Sequence, residues 1–117
     1  MLVEDVHRRL RVLSKRHSME ILSVLFIGGK KYVSQLGEEL GLPYATIQQR
    51  INELEGAGLV KCSESLHPLS KRPIKEVEVI NFQMILSPRI ISQIVTEEGN
   101  VREKKNTFNI PPSQRDV

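Results

Sequence analysis

Apolar residues along this chain first recur every three or four positions, then alternate with polar ones, then return to helical spacing. That order of periods predicts helices, a hairpin and a final helix. In LVEDVHRRLRVLS, Val3, Val6, Leu10 and Leu13 step by three, four and three, which is one seam of an amphipathic helix. From about Lys15 to Ile27, Met19, Leu22, Leu25 and Phe26 keep helical spacing while Ile21 and Val24 widen the apolar sector, so this second helix is expected to be core. Gly28-Gly29 then ends it.

Tyr32 to Val60 reads as two short helices joined by a tight turn. Val33, Leu36 and Leu40 share one face of the first, Gly41 suits the residue just past its end, and Pro43 suits the first position of the next. In that second helix, about residues 43–57, Ile47, Ile51 and Leu54 form the buried stripe. Tyr44, Ala45, Thr46, Gln48, Gln49 and Asn52 are left facing out. Outward Thr, Gln and Asn side chains carry the donors and acceptors that match base edges.

Beyond Gly58 the period changes to two. VKCSES and IKEVEVINFQM fit half-buried strands, with Val60, Cys62, Val77, Val79 and the residues after Ile80 inward and Glu76 and Glu78 in water. Between them LHPLSKRPI has two prolines, His67, Lys71 and Arg72, and no acidic residue. Pro68 and Pro73 stiffen a tip, within residues 66–75, whose cations could follow a phosphate backbone or enter a minor groove. Lys75 at its foot, and Lys30 and Lys31 before the two-helix motif, are further candidate phosphate contacts.

SPRIISQIVTEEG predicts the last helix, with Ser87 as N-cap, Pro88 at its first position and Gly99 just past its end. Ile90, Ile91, Ile94 and Val95 make a compact apolar strip on it. From Asn100 onward charges alternate without a stripe and two prolines follow, so residues 100–117 read as a flexible tail in which Phe108 and Ile110 form a short apolar pair.

GLPYATIQQRINELEGAGLV, ending in Gly58, Leu59 and Val60, is similar to the helix-turn-helix of the ArsR-like winged-helix regulators, and LSKRHSMEILSVL resembles the helix that precedes it. The likeness covers about residues 13–82. It implies an α+β fold: a winged helix-turn-helix with a three-helix core, a β-hairpin wing and additional N- and C-terminal helices, spanning residues 1–99. In such proteins the first and last helices commonly build a homodimer, which would place Val3, Val6, Leu10, Leu13, Ile90, Ile91, Ile94 and Val95 at the interface. Packing of the two terminal helices on each other within one subunit is the alternative. The resemblance further implies Arg50 and Tyr44 as phosphate or base contacts, and Ala45 as a contact to a thymine methyl.

Composition narrows the rest. With 117 residues, 39% of them hydrophobic and 26% charged, the chain fits one domain with a core. The net charge of +3 and pI near 9.2 allow a polyanionic partner without requiring one. Cys62 is the only cysteine, and no apolar run approaches the roughly 20 residues that span a bilayer, so a cytoplasmic protein without membrane contact is expected.

Many ArsR-like repressors bind metal through cysteines where this chain reads YVSQL. His7, His17, His67 and Cys62 are scattered over separate elements, so no metal and no cofactor are expected. Cys62 has no neighbouring histidine on its strand, and the pairs Glu38-Glu39 and Glu97-Glu98 look like solvated surface, so catalysis is not expected. The expectation is a homodimeric regulator of transcription, a repressor, that binds double-stranded DNA, its effector unknown. The rival is a winged helix that docks protein within a larger transcription assembly.

Overall fold

The computed structural model describes residues 2–106, with side chains through residue 97. Five helices and three short strands follow in the order α1 (Val3–Leu13), α2 (Ser18–Gly28), β1 (Lys31–Tyr32), α3 (Val33–Leu40), α4 (Tyr44–Gly56), β2 (Val60–Leu66), β3 (Pro73–Val79) and α5 (Pro88–Asn106). This is the α+β winged helix that the periodicities and the resemblance implied. The antiparallel sheet has strand order β1-β3-β2, with Lys31 opposite Val77, Cys62 opposite Val77 on the other side, and Glu64 opposite Lys75. Strand β1 is two residues long, too short to leave a period in the sequence, and it was not foreseen.

The core forms where α2, α3 and α4 meet the sheet. Ile21, Leu25, Leu36, Ile47, Ile51, Leu54, Leu59 and Val77 are fully or almost fully removed from solvent. The turn before α4 and the turn after it each rest on a left-handed glycine. Gly41, at φ 66°, lets the amide of Leu42 donate back to the Gly37 carbonyl at 2.9 Å, and Gly58, at φ 75°, lets the amide of Leu59 donate to Leu54 at 2.9 Å. Gly37 is required for a different reason: a Cβ there would stand 3.1 Å from the Leu42 carbonyl oxygen, so the turn folds down on a helix surface with no side chain. Pro43 caps α4 from just outside it rather than opening it.

Helix α2 is not wholly core. Its inward face is Ser18, Ile21, Leu22 and Leu25, whereas Met19, Phe26 and Ile27 are 64%, 78% and 81% exposed. The sheet, α1 and α3 cover one side of an 11-residue helix, and an apolar sector wider than that side cannot all be buried. The hydroxyl of Ser18, completely buried, donates to the Val12 carbonyl at 2.7 Å and ties the start of α2 to the end of α1.

Two further expectations are corrected. Strand β3 stops at Val79 because the chain turns: the amide of Ile80 still reaches Leu59 at 3.0 Å, but that of Phe82 folds back onto Ile80 at 2.8 Å. Helix α5 begins as foreseen, with the Ser87 hydroxyl accepting from the amide of Ile90 at 3.3 Å, but it runs through Gly99 to Asn106. One glycine inside a helix costs only about 1 kcal/mol relative to alanine, and no proline follows before residue 106. The remaining tail, with Phe108 and Ile110, lies outside the described residues.

Helix α1 packs on α5, α4 and α2. Within one chain Val6 and Ile94 are already buried, while Val3, Leu10, Leu13 and Ile90 are half-covered and Ile91 and Val95 are exposed. Val12, absent from the seam read off the sequence, is buried as well.

The burial pattern sets an expected contrast in stability. Ile51→Ala removes a fully buried side chain and should cost about 2–5 kcal/mol in urea unfolding, whereas Phe26→Ala should fall within about 0.5 kcal/mol of the wild type. Equal losses would contradict the assignment of the two faces.

Candidate nucleic-acid interface

Helix α4 projects its polar face because Ile47, Ile51 and Leu54 are held underneath. On the outer side Tyr44, Ala45, Gln49 and Asn52 are exposed, and Thr46 and Gln48 are half-covered. The Gln48 amide donates to the Asn52 carbonyl oxygen at 2.8 Å, one helical turn on, which restrains two otherwise mobile side chains as a pair. Among the described residues the Gln48 carbonyl oxygen and the Asn52 amide make no further hydrogen bond, and they present an acceptor and a donor.

Arg50 does not join that face. Its Nε donates to the Arg16 carbonyl at 2.9 Å and its Nη1 to Glu53, leaving the side chain only 15% exposed. Glu53 also holds Lys15. A carboxylate one turn along α4 thus draws the guanidinium back over the α1–α2 connection and away from the outer surface. Arg9 is likewise occupied. Its Nε donates to the Ala57 carbonyl at 3.0 Å, and its guanidinium lies 5.9 Å from the centre of the Phe82 ring. Both arginines fasten the back of α4 to α1 and the connection that follows it.

The wing turn is built around His67. Its Nδ1 accepts from the amides of Leu69 at 3.1 Å and Ser70 at 3.2 Å, and its backbone N–H donates to the Arg72 carbonyl at 2.8 Å. The ring therefore shapes the tip. Lys71, in a left-handed conformation at φ 60°, and Arg72 are exposed. Lys30 is exposed before the motif, but Lys31 is paired with Glu39 at 2.7 Å and is 17% exposed, so it is drawn onto α3.

Between α4, the start of α3 and the foot of the wing lies a crevice of about 370 Å³, lined by Tyr32, Val33, Ser34, Tyr44, Gln48, Glu64, Pro73, Ile74 and Lys75. Tyr44, Gln48 and Lys75 were expected near a ligand. Tyr32, Ser34 and Glu64 were missed, although period two places Glu64 on the strand face of Val60 and Cys62, which points toward α4.

Residues 19–61 match the family model described as bacterial regulatory protein, arsR family. The segment is similar to the helix-turn-helix of that family. It takes in α2, α3, α4 and the first residues of β2, and with the winged-helix fold it supports a DNA-binding regulator of transcription. No curated protein matches the chain. Among solved structures, the transcriptional regulator homologue from Pyrococcus horikoshii OT3 is 24% identical over 84% of this chain and 97% of that one, with a TM-score of 0.54, and shows the same fold. A MarR protein from Peptoclostridium difficile is 18% identical over 98% of this chain and 69% of that one, at a TM-score of 0.48.

Burial raises the Cys62 thiol above its ordinary value, and Glu55 adds to the rise, so the nucleophilic thiolate is disfavoured. Among the described residues no group of three or more histidine, cysteine, aspartate or glutamate side chains is placed to hold a metal ion, and no helix is long and apolar enough to cross a membrane.

The Glu53 node carries a pH signature. The hydrogen bond from Lys15, and after it the charges of Arg50 and Lys15, lower the Glu53 carboxyl below its ordinary 4.5 despite partial burial, which acts the other way. A carboxyl lowered in the folded state stabilises the fold above its unfolded pKa, and that contribution disappears as pH falls through the folded one. The stability advantage of wild type over Glu53→Gln should therefore be present at pH 7 and shrink on acidification below about 4.5. A difference independent of pH between 3 and 7 in urea unfolding would contradict the ionic node.

Proposed function

We propose that the protein is a sequence-specific regulator of transcription that reads double-stranded DNA with α4 in the major groove and steadies itself on phosphates, or in the minor groove, with the wing. The observation that carries this reading is the division of α4: its apolar stripe is sealed in the core, so Tyr44, Ala45, Gln49 and Asn52 are presented together on the outside, beside a hairpin tip bearing Lys71 and Arg72. Thr46, Gln48, Gln49 and Asn52 carry hydrogen-bonding groups suited to base edges, adenine above all, and Ala45 can meet a thymine methyl. Lys30, Lys71, Arg72 and Lys75 serve phosphates. Arg50 and Lys31 are left out because their charges are spent inside the protein. The exposed cations of the wing favour DNA over a protein partner on this face.

The reading includes a homodimer through α1 and α5 that represses by occupying a pseudo-palindromic site. Ile91 and Val95, exposed side by side with Ile85 and Leu86 nearby in sequence, are apolar surface that a second copy would cover, whereas Val6 and Ile94 serve the single chain. A monomeric mass in solution at micromolar concentration would contradict the dimer.

Wing and helix should fail differently. Lys71→Ala with Arg72→Ala in both subunits removes four phosphate contacts, and the log-log salt slope should fall by about 3 to 4 units on cognate and random duplexes alike. Gln49→Ala should cost about 1–3 kcal/mol on the cognate duplex only, with the slope unchanged. Titrations at several salt concentrations decide between these patterns and a uniform loss, which would overturn the division of labour.

A further inference from the structure

Two amides on the outer side of α4 are tied to each other before any ligand arrives. Gln48 Nε2 donates to Asn52 Oδ1 at 2.8 Å across one turn of the helix. Gln48 is half-covered, lining the crevice at the foot of the wing with Tyr44 and Lys75, and Asn52 is exposed. Gln49, about 100° further round the helix, is exposed and makes no side-chain hydrogen bond among the described residues. The outer side of α4 therefore holds one restrained pair and one free amide. A paired contact to adenine uses both the oxygen and the amino group of one amide, and each member of the pair has already lent one of these to its neighbour. Between them they still offer the Gln48 Oε1 acceptor and the Asn52 Nδ2 donor.

We propose that Gln48 and Asn52 together read one adenine, its N6 amino group donating to Gln48 Oε1 and its N7 accepting from Asn52 Nδ2. The inference rests on the DNA-binding reading above and deepens it, because it assigns two side chains to one base where independent amides would read two. In the major groove only adenine carries a donor and an acceptor on the same base: guanine carries two acceptors, thymine an acceptor and a methyl, cytosine a donor. Ordering long side chains at an interface costs binding free energy, and the bond between Gln48 and Asn52 has removed part of that freedom in the unbound protein. Swinging either amide out to bind a base alone would break the bond, so the joint contact is the one that keeps both amides paired. Gln49 carries no such restraint and reads a different position.

The test is selection of bound duplexes from a random library by the wild type, Gln48→Ala, Asn52→Ala and the double variant, followed by titration of the best-bound duplex. Alanine suits an outer helix position, so all four proteins should fold alike. The wild type should require adenine at one position of the site, and both single variants should lose preference at that same position and nowhere else. Each should weaken the best-bound duplex by about 5- to 150-fold, and the double variant little more than either alone, since each half of the contact depends on the other. Replacing that adenine by 7-deazaadenine, which lacks the N7 acceptor, should weaken the wild type and leave Asn52→Ala unaffected. Relaxed preference at two different positions, or additive losses, overturns the joint reading while leaving the DNA reading standing. A required G·C pair, whose guanine O6 and cytosine amino group also set an acceptor beside a donor, overturns the assignment to adenine. A merely structural role for the pair would weaken all duplexes alike with preference unchanged, and overturns it too. A folded wild type that enriches no sequence overturns the DNA reading itself, and this proposal with it.

Discussion

Burial of Ile47, Ile51 and Leu54 is the constraint on which the rest of this molecule depends. Those three side chains are completely removed from solvent against α2, α3 and the sheet, and a helix with one face sealed has no freedom in what it shows on the other. Rolling α4 by a quarter turn would expose aliphatic surface worth on the order of 1.5–3 kcal/mol per residue, more than any polar contact on its outside could restore. The outward placement of Tyr44, Ala45, Gln49 and Asn52 is thus a consequence of core packing. The outer face of α4 is rigid because it is the back of the core.

Packing fixes the roll of α4, and polar contacts hold its far half. Arg9 reaches the Ala57 carbonyl at the end of the helix, and Arg50, Glu53 and Lys15 join its middle to the connection after α1. Since α1 also packs on α5, the terminal helices and α4 form one mechanically continuous body. The electrostatics of the outer face follow from the same arrangement. Several of the chain's cations are consumed internally, so the modest net charge of +3 understates how selectively free positive charge is left at Lys30 and along the wing.

Much of this was legible in the sequence wherever a feature depends on local period or backbone chemistry. The α4 stripe, the glycine turns at Gly41 and Gly58, the hairpin and the Ser87 cap needed only the side chains of neighbouring positions. What escaped depends on partners far away in the chain. Arg50 looked like a contact because nothing nearby in sequence announces that Arg16 offers a carbonyl, and Lys31 because Glu39 lies a whole helix away. Met19, Phe26 and Ile27 looked buried because a wide apolar sector does not say how much of it the neighbours can cover. Glu64 was missed because alternation places it on the strand face of Val60 and Cys62 without showing that the crevice beside α4 opens there.

The most direct test of the account is selection of bound duplexes from a random library by the wild-type protein. The proposed pairing of two copies, each with α4 in a major groove, predicts enrichment of an inverted repeat with half-site centres about 10 base pairs, one helical turn, or a multiple of it apart. Failure to enrich any sequence, with the protein folded and the library bound only in proportion to salt, would contradict the claim that the outer face of α4 reads bases.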